Sequence, residues 1–244
     1  MPDAIFADPR LAAIYDRLDP PGRPDLAPYF AMADGLGARR VVDVGCGTGV
    51  LACRLAARGL AVVGVDPAAA SIAVARRKAH ADRVRWIVGT AADLPPLGAD
   101  LATMTGNVAQ VFVSDREWRA TLAACRRVLR PGGRLMFETR DPAREGWREW
   151  TRDRTRRTVE VPGLGPVGIC TDLLDVRLPL VTFRMTFAFP DGRGTVTSVS
   201  TLRFRGRDEI AASLARSGLR VDEVRGAPDR PGRELVFVCR RPAP

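Results

Sequence analysis

The chain has 244 residues, 46% hydrophobic and 27% charged, the proportions of a globular protein with one sizeable core. It contains no run of eighteen apolar residues, so no helical membrane span is expected. Five cysteines at 46, 53, 125, 170 and 239 are odd in number and lack paired metal-ligand spacing, which points to reduced thiols in a cytoplasm and no metal.

The formal net charge is +10, yet of 38 basic residues only Lys78 is a lysine, which suggests a bias toward arginine codons. Clusters such as Arg152-Asp153-Arg154-Thr155-Arg156-Arg157 are interleaved with acids, and read as a solvated face rather than a nucleic-acid footprint. At the amino terminus, Met1-Pro2-Asp3-Ala4-Ile5-Phe6 lacks the basic-then-apolar pattern of a signal peptide. Residues 3–36 read as two short helices. The first has apolar residues at 11, 14, 15 and 18 and is ended by Asp19-Pro20-Pro21-Gly22; the second covers 24–35,.

Arg40-Val41-Val42-Asp43-Val44 is a continuous apolar run of the kind that forms a parallel strand covered on both faces. Gly45-Cys46-Gly47-Thr48-Gly49 then turns the chain into a helix over 50–58. Glycines there let the backbone approach a ligand, and the first N–H groups of the helix face it. The spacing is G-x-G-x-G, with Val50 where a dinucleotide-binding turn has its third glycine. Asp43 before the turn would repel a pyrophosphate and suit an ammonium or sulfonium. Ala61-Val62-Val63-Gly64-Val65-Asp66 is a second strand, ending in an acid that can accept from both hydroxyls of a ribose.

Val42-Asp43-Val44-Gly45-Cys46-Gly47-Thr48-Gly49, followed by Gly64-Val65-Asp66-Pro67, resembles the class I S-adenosylmethionine-dependent methyltransferases, and the likeness extends over residues 39–141. The resemblance implies a Rossmann-like α/β fold with a mostly parallel seven-stranded sheet in the order 3-2-1-4-5-7-6. It implies S-adenosylmethionine as cofactor, with Asp43, Gly45, Cys46, Gly47, Gly49, Asp66 and Pro67 around it. In such enzymes a preceding helical segment often covers cofactor and substrate, which makes Tyr15 a candidate wall residue.

A helix over 68–79 follows, and His80, the only histidine, falls near its end as a surface residue. A histidine base is therefore not expected. A third strand over 84–88 leads to Ala92-Asp93-Leu94; by resemblance Asp93 accepts from the adenine amino group, with Ala92 and Leu94 flanking the ring. A fourth strand over 99–105 ends at Thr105-Gly106-Asn107, where an open parallel sheet presents its ligands. Thr105 and Asn107 are cofactor candidates, and Gln110 and Phe112 acceptor candidates. A helix over 116–130, stopped by Pro131-Gly132-Gly133, precedes a fifth strand over 135–139 and the candidate Arg140,.

The pattern then changes to alternating β-branched runs at 158–161, 167–176, 181–189 and 195–204, separated by Pro162-Gly163-Leu164-Gly165-Pro166 and Pro190-Asp191-Gly192-Arg193-Gly194,. An antiparallel insertion after the fifth strand is expected, serving as a substrate platform, a homodimer surface or a plain extension. Residues 206–244 supply a helix and two last strands. The division is thus a helical cap over 1–36, a cofactor-binding domain over 37–144 and 206–244, and an insertion over 145–205.

The resemblance implies transfer of a methyl group to a nitrogen or oxygen of a small molecule. A nitrogen need only arrive unprotonated, whereas a hydroxyl usually wants a base. With His80 remote, that base can come from Tyr15, Glu138, Asp141 or an acid of the insertion, and no residue is assigned as catalytic. An RNA methyltransferase and a non-catalytic protein binding S-adenosylmethionine or S-adenosylhomocysteine are the alternatives. A nicotinamide dehydrogenase is disfavoured by Asp43 and the missing third glycine.

Overall fold

The computed structural model describes residues 1–18, 24–190 and 192–243. The expected helix stop at Asp19-Pro20-Pro21-Gly22, and Asp191 in the second turn, lie outside these residues. In chain order the elements are α1 (Ala4–Ala7), α2 (Pro9–Leu18), α3 (Ala27–Gly35), β1 (Arg40–Val44), α4 (Val50–Ala57), β2 (Ala61–Asp66), α5 (Ala69–Ala75), β3 (Val84–Val88), β4 (Ala99–Met104), α6 (Asp115–Val128) and β5 (Leu129–Arg140). There follow α7 (Arg152–Thr155), β6 (Arg157–Val161), β7 (Gly165–Arg177), β8 (Leu180–Ala188), β9 (Thr195–Arg203), α8 (Arg207–Arg216), β10 (Arg220–Gly226) and β11 (Glu234–Arg240).

The apolar run of β1 occupies the middle of a seven-stranded sheet of order β10-β11-β5-β4-β1-β2-β3. β1 to β5 are parallel, and β11 runs antiparallel to β5 and β10, so the expected strand order holds. Strand alternation divides the core between the two faces. Val42 and Val44 pack with Trp118, Leu122 and Leu214 of α6 and α8. Val41 packs with Tyr29 and Phe30 of α3 and with Leu51 and Leu55 of α4.

Two boundaries differ from expectation. β5 begins at Leu129 and runs through Pro131-Gly132-Gly133, because Gly132 N–H donates to the Arg241 carbonyl (2.8 Å) and Arg241 N–H to that of Gly133 (2.9 Å). Pairing with the end of the chain thus keeps this stretch extended. α5 stops at Ala75 and tightens into i→i+3 bonds, Arg77 to Val74 and Lys78 to Ala75 (both 3.1 Å).

The alternating runs between β5 and β10 form a separate antiparallel sheet, β6-β7-β8-β9. One face is covered by the amino-terminal helices: Ile5, Leu11 and Ile14 pack on Val167, Ile169, Phe187 and Val196. Ile5 N–H also donates to Ser198 Oγ (2.9 Å). Arg203 ties the end of β9 to α6 and α8 through Asp115 (2.9 Å) and Glu209 (3.0 Å). Trp147 stacks edge-on against Phe204, with centroids 4.6 Å apart. No helix among the described residues is long and apolar enough to cross a membrane.

Candidate functional site

At the carboxyl end of β1 the chain turns through Gly45, Gly47 and Gly49, all at positive φ. Gly49, at φ 79°, caps α4. A Cβ there would sit 2.4 Å from the Trp86 ring and 2.8 Å from the Ala75 methyl, so only glycine lets α4 seat against β3 and α5. Gly49→Ala combines a left-handed backbone penalty with overpacking, and is expected to destabilise the fold by about 2–4 kcal/mol in urea unfolding. Gly47, at φ 52°, is different. A Cβ there would meet nothing within 4 Å, so this bend faces open space.

The bend is stitched to β2. Gly45 and Cys46 donate to the Val65 carbonyl (2.8 and 3.2 Å), and Gly47 N–H donates to Asp66 Oδ2 (2.9 Å). Asp66 Oδ1 accepts from Ala68 N–H (2.8 Å). Burial raises the Asp66 pKa, and these two backbone bonds oppose the rise. A carboxylate has about four acceptor positions, which leaves room for a diol. Asp43 lies deeper, 1% exposed. Its Oδ1 accepts from Thr103 Oγ1 (2.7 Å), and its Oδ2 has no partner. Burial pushes its pKa up to about 7, with nearby Asp66 adding to the rise. Burial and both carboxylates raise the Cys46 thiol well above its ordinary range. Two carboxyls flanking a glycine bend fit a cationic nucleoside better than a pyrophosphate, so the residues present could hold S-adenosylmethionine.

The amino-terminal helices reach this bend through Asp16. Its carboxylate accepts from Thr48 Oγ1 (2.5 Å) and from the ammonium of Lys78, which also donates to the Thr48 carbonyl (2.7 Å). The single lysine of the chain is therefore spent on fastening α2 to the glycine turn.

Beyond the ends of β4 and β5 lies a chamber of about 310 Å³, lined by Tyr15, Gly106, Asn107, Glu138 and Arg140 together with Pro24, Asp25, Asp229, Arg230 and Glu234. Glu138 is 6% exposed. Its Oε1 accepts from Asn107 N–H (3.0 Å), and its Oε2 has no partner. Burial pushes its pKa up to about 8; the Asn107 bond opposes this, and Glu234 adds to it. Asn107 is held at φ 61° and donates through Nδ2 to Glu234 Oε1 (3.0 Å), which Arg230 also contacts (2.9 Å).

The expected residues divide. Tyr15, Asn107 and Arg140 come together on the chamber wall. Gln110 stands behind the wall, fully buried, and accepts from Arg140 through Oε1 (2.9 Å). Phe112 packs on Trp118, with centroids 6.0 Å apart, and is absent from the chamber lining. Leu94 is buried at 2% in the core under the sheet, so its side chain forms no open wall. Ala92 is exposed, Thr105 half-buried and Pro67 exposed after Asp66. Asp93 is exposed and accepts from Thr90 N–H and Oγ1 (2.7 and 3.0 Å), which holds its carboxyl below the ordinary range. His80 is exposed, at φ 65°. Asp141 Oδ1 caps its own turn by accepting from Ala143 N–H (3.0 Å). Asp16, Arg230 and Glu234 carried no sequence signal of their own, and neither the motif around Thr48 nor the rarity of lysine pointed to the contact of Lys78 with Asp16 and Thr48.

Residues 41–133 match the methyltransferase domain family. A ubiquinone biosynthesis O-methyltransferase of Idiomarina loihiensis is 35% identical over 119 residues, 47% of each chain; the match thus spans about half the length of such relatives. S-adenosylmethionine-bound CalS10, an amino pentose methyltransferase from Micromonospora echinaspora, superposes with a TM-score of 0.69 at 26% identity, covering 94% of this chain and 95% of its own. The CcbJ methyltransferase from Streptomyces caelestis gives 0.74 at 22% identity, covering 96% of both, and speaks to the fold alone. With the strand order and the carboxyl-flanked glycine bend already described, these likenesses show a methyltransferase domain over residues 41–133 and support a class I S-adenosylmethionine-dependent methyltransferase.

Proposed function

We propose that this chain transfers the methyl group of S-adenosylmethionine to a nitrogen of a small molecule bound in the 310 Å³ chamber. Asp66 takes the ribose, Asp43 stabilises the cationic end across the bend, and Glu138 receives the proton that the acceptor must lose. One observation carries the reading: Glu138 Oε2 is buried and unpartnered on the wall of a chamber at the carboxyl ends of β4 and β5. The lining has four carboxyls, Asp25, Glu138, Asp229 and Glu234, against two guanidinium groups, Arg140 and Arg230. That acidic excess favours a cationic amine over a neutral hydroxyl.

The ammonium proton passes to Glu138, leaving a neutral nitrogen and a protonated carboxyl. The freed lone pair then forms the new C–N bond as the C–S bond breaks, and the departing electron pair stays on sulfur as a neutral thioether. Holding the three atoms in line and excluding water is the protein's other task. The amino pentose methyltransferase named above, and a sugar N-methyltransferase from Streptoalloteichus, support nitrogen as the acceptor atom. The ubiquinone O-methyltransferase likeness keeps oxygen as the competing choice.

Incubation with methyl-labelled cofactor, a fractionated metabolite extract and a parallel RNA sample tests the proposal. Label is expected in a small amine. Label in RNA alone, or cofactor binding with no transfer into any fraction, would overturn it.

A further inference from the structure

Alongside the chamber opens a second cavity of about 480 Å³, and Arg140, Arg230 and Glu234 line both. Its wall adds Arg144 and Arg233, together with Asp141, Glu149 and Trp150. The balance of charge therefore reverses from one cavity to the next: the inner lining is acidic, whereas the outer has four arginines against three carboxyls.

Pairing sharpens the contrast. Arg230 is matched by Glu234 (2.9 Å) and Arg233 by Glu149 (3.1 Å), while Asp141 is engaged with its own turn. Arg140 and Arg144 make no ion pair among the described residues. Arg140 sits where the two cavities meet. It donates once, to Gln110 Oε1 (2.9 Å), and its guanidinium lies 5.5 Å from the centre of the Trp150 ring. Burial lowers its pKa, and the nearby Glu234 and Glu138 oppose the fall without either forming an ion pair with it.

A guanidinium stays protonated in proteins and keeps a planar fork of donors suited to carboxylate or phosphate. Burying one unpaired is costly, and a bound anion would remove that cost. The volume is ample for a group larger than a simple ion.

We infer that the acceptor carries an anionic group, a carboxylate or a phosphate, which binds in the outer cavity against Arg140 and Arg144 while its amine reaches past Arg140 to Glu138. The inference rests on the methyl-transfer reading and deepens it: the substrate is an amine and an anion at once, oriented by the reversal of charge between the two cavities. Gln110 is then a positioning residue that aims the Arg140 fork.

Inorganic pyrophosphate and succinate, titrated separately into the protein saturated with S-adenosylhomocysteine and followed by calorimetry, test this. At least one should bind saturably, and Arg140→Gln should weaken it by about tenfold or more. Arg140→Lys, which keeps the charge but loses the fork, should fall between. Arg144→Gln, at an exposed position, should weaken binding in a background where folding is not at risk. Arg116→Gln, exposed on α6, should leave it unchanged. Preference for pyrophosphate or for succinate separates a phosphorylated from a carboxylated acceptor. Normal S-adenosylhomocysteine binding with no saturable binding of either probe would overturn the inference, as would equal affinity in the Arg140 and Arg144 variants. Loss of S-adenosylhomocysteine binding itself would instead overturn the methyl-transfer reading.

Discussion

Asp66→Ala is expected to weaken S-adenosylmethionine binding by roughly 100-fold or more, with the protein still folded. Two ribose hydroxyls donating to one carboxylate are charge-assisted hydrogen bonds worth about 1.5–3 kcal/mol each, and about 1.4 kcal/mol is tenfold in affinity. The substitution also frees Gly47 and Ala68 N–H, which now donate to this carboxylate; the bend loses one of its ties to β2 as well as its ligand contact, and keeps the bonds of Gly45 and Cys46 to the Val65 carbonyl. Asp66→Asn separates the two effects, since its amide oxygen keeps one acceptor without the charge. Calorimetry with S-adenosylhomocysteine reads the affinity, and circular dichroism reads the fold. Wild-type affinity in Asp66→Ala would place the cofactor elsewhere. Because burial raises the Asp66 pKa and ribose hydroxyls favour its ionised form, affinity should also fall as pH drops through that raised pKa.

Glu138→Gln is expected to reduce kcat by about 10²–10⁴-fold, the usual share of a positioned proton acceptor, and to change stability in the opposite direction. The carboxyl titrates near 4.5 when exposed and is pushed up to about 8 in the folded protein. Between those values the folded state holds a proton that the unfolded state has lost. Stability is therefore full below about pH 4.5, declines as pH rises, and levels off above pH 8. Each pKa unit is about 1.4 kcal/mol, so the decline has a ceiling near 5 kcal/mol. Glutamine removes this titration, so the variant should match wild type near pH 4.5 and exceed it in unfolding free energy at pH 9. Its kcat/KM should also lose the limb that rises toward pH 8 in wild type, leaving only the ionisation of the acceptor. A variant that is steadier in alkali and slower at turnover marks a chemical role. Unchanged turnover with the amine identified by labelling would remove Glu138 from the reaction.

The two predictions concern residues of unequal legibility. Asp66 stands in a run, strand then glycine bend then strand, whose geometry is decided by residues next to one another. Val41 to Val44 must be covered on both faces, Gly47 and Gly49 take up left-handed backbone angles that other residues adopt only rarely, and an acid ending β2 necessarily lies beside the bend that follows β1. The strand order came instead from the resemblance to the class I methyltransferases, and the sheet has the order that the resemblance implied.

Glu138 read only as one acid among several. Its importance comes from Asn107, 31 residues away, and from Glu234, which Asn107 reaches across 127 residues of chain. The misjudged positions have the same origin: Leu94 and Phe112 lie in the right loops, but which way a loop side chain turns depends on what packs beneath it, here the core around Trp118. Likewise nothing local announces that Lys78 fastens Asp16 to Thr48, or that Arg140 makes no ion pair among the described residues where two cavities join. The amino-acid sequence by itself determined the α/β fold and the cofactor bend, because both follow from hydrophobic pattern and backbone permission over a few consecutive residues. Only the tertiary structure decided the acceptor chamber, the cap that closes on the bend and the reversal of charge beyond it, because burial and ion pairing are properties of groups brought together from distant parts of the chain.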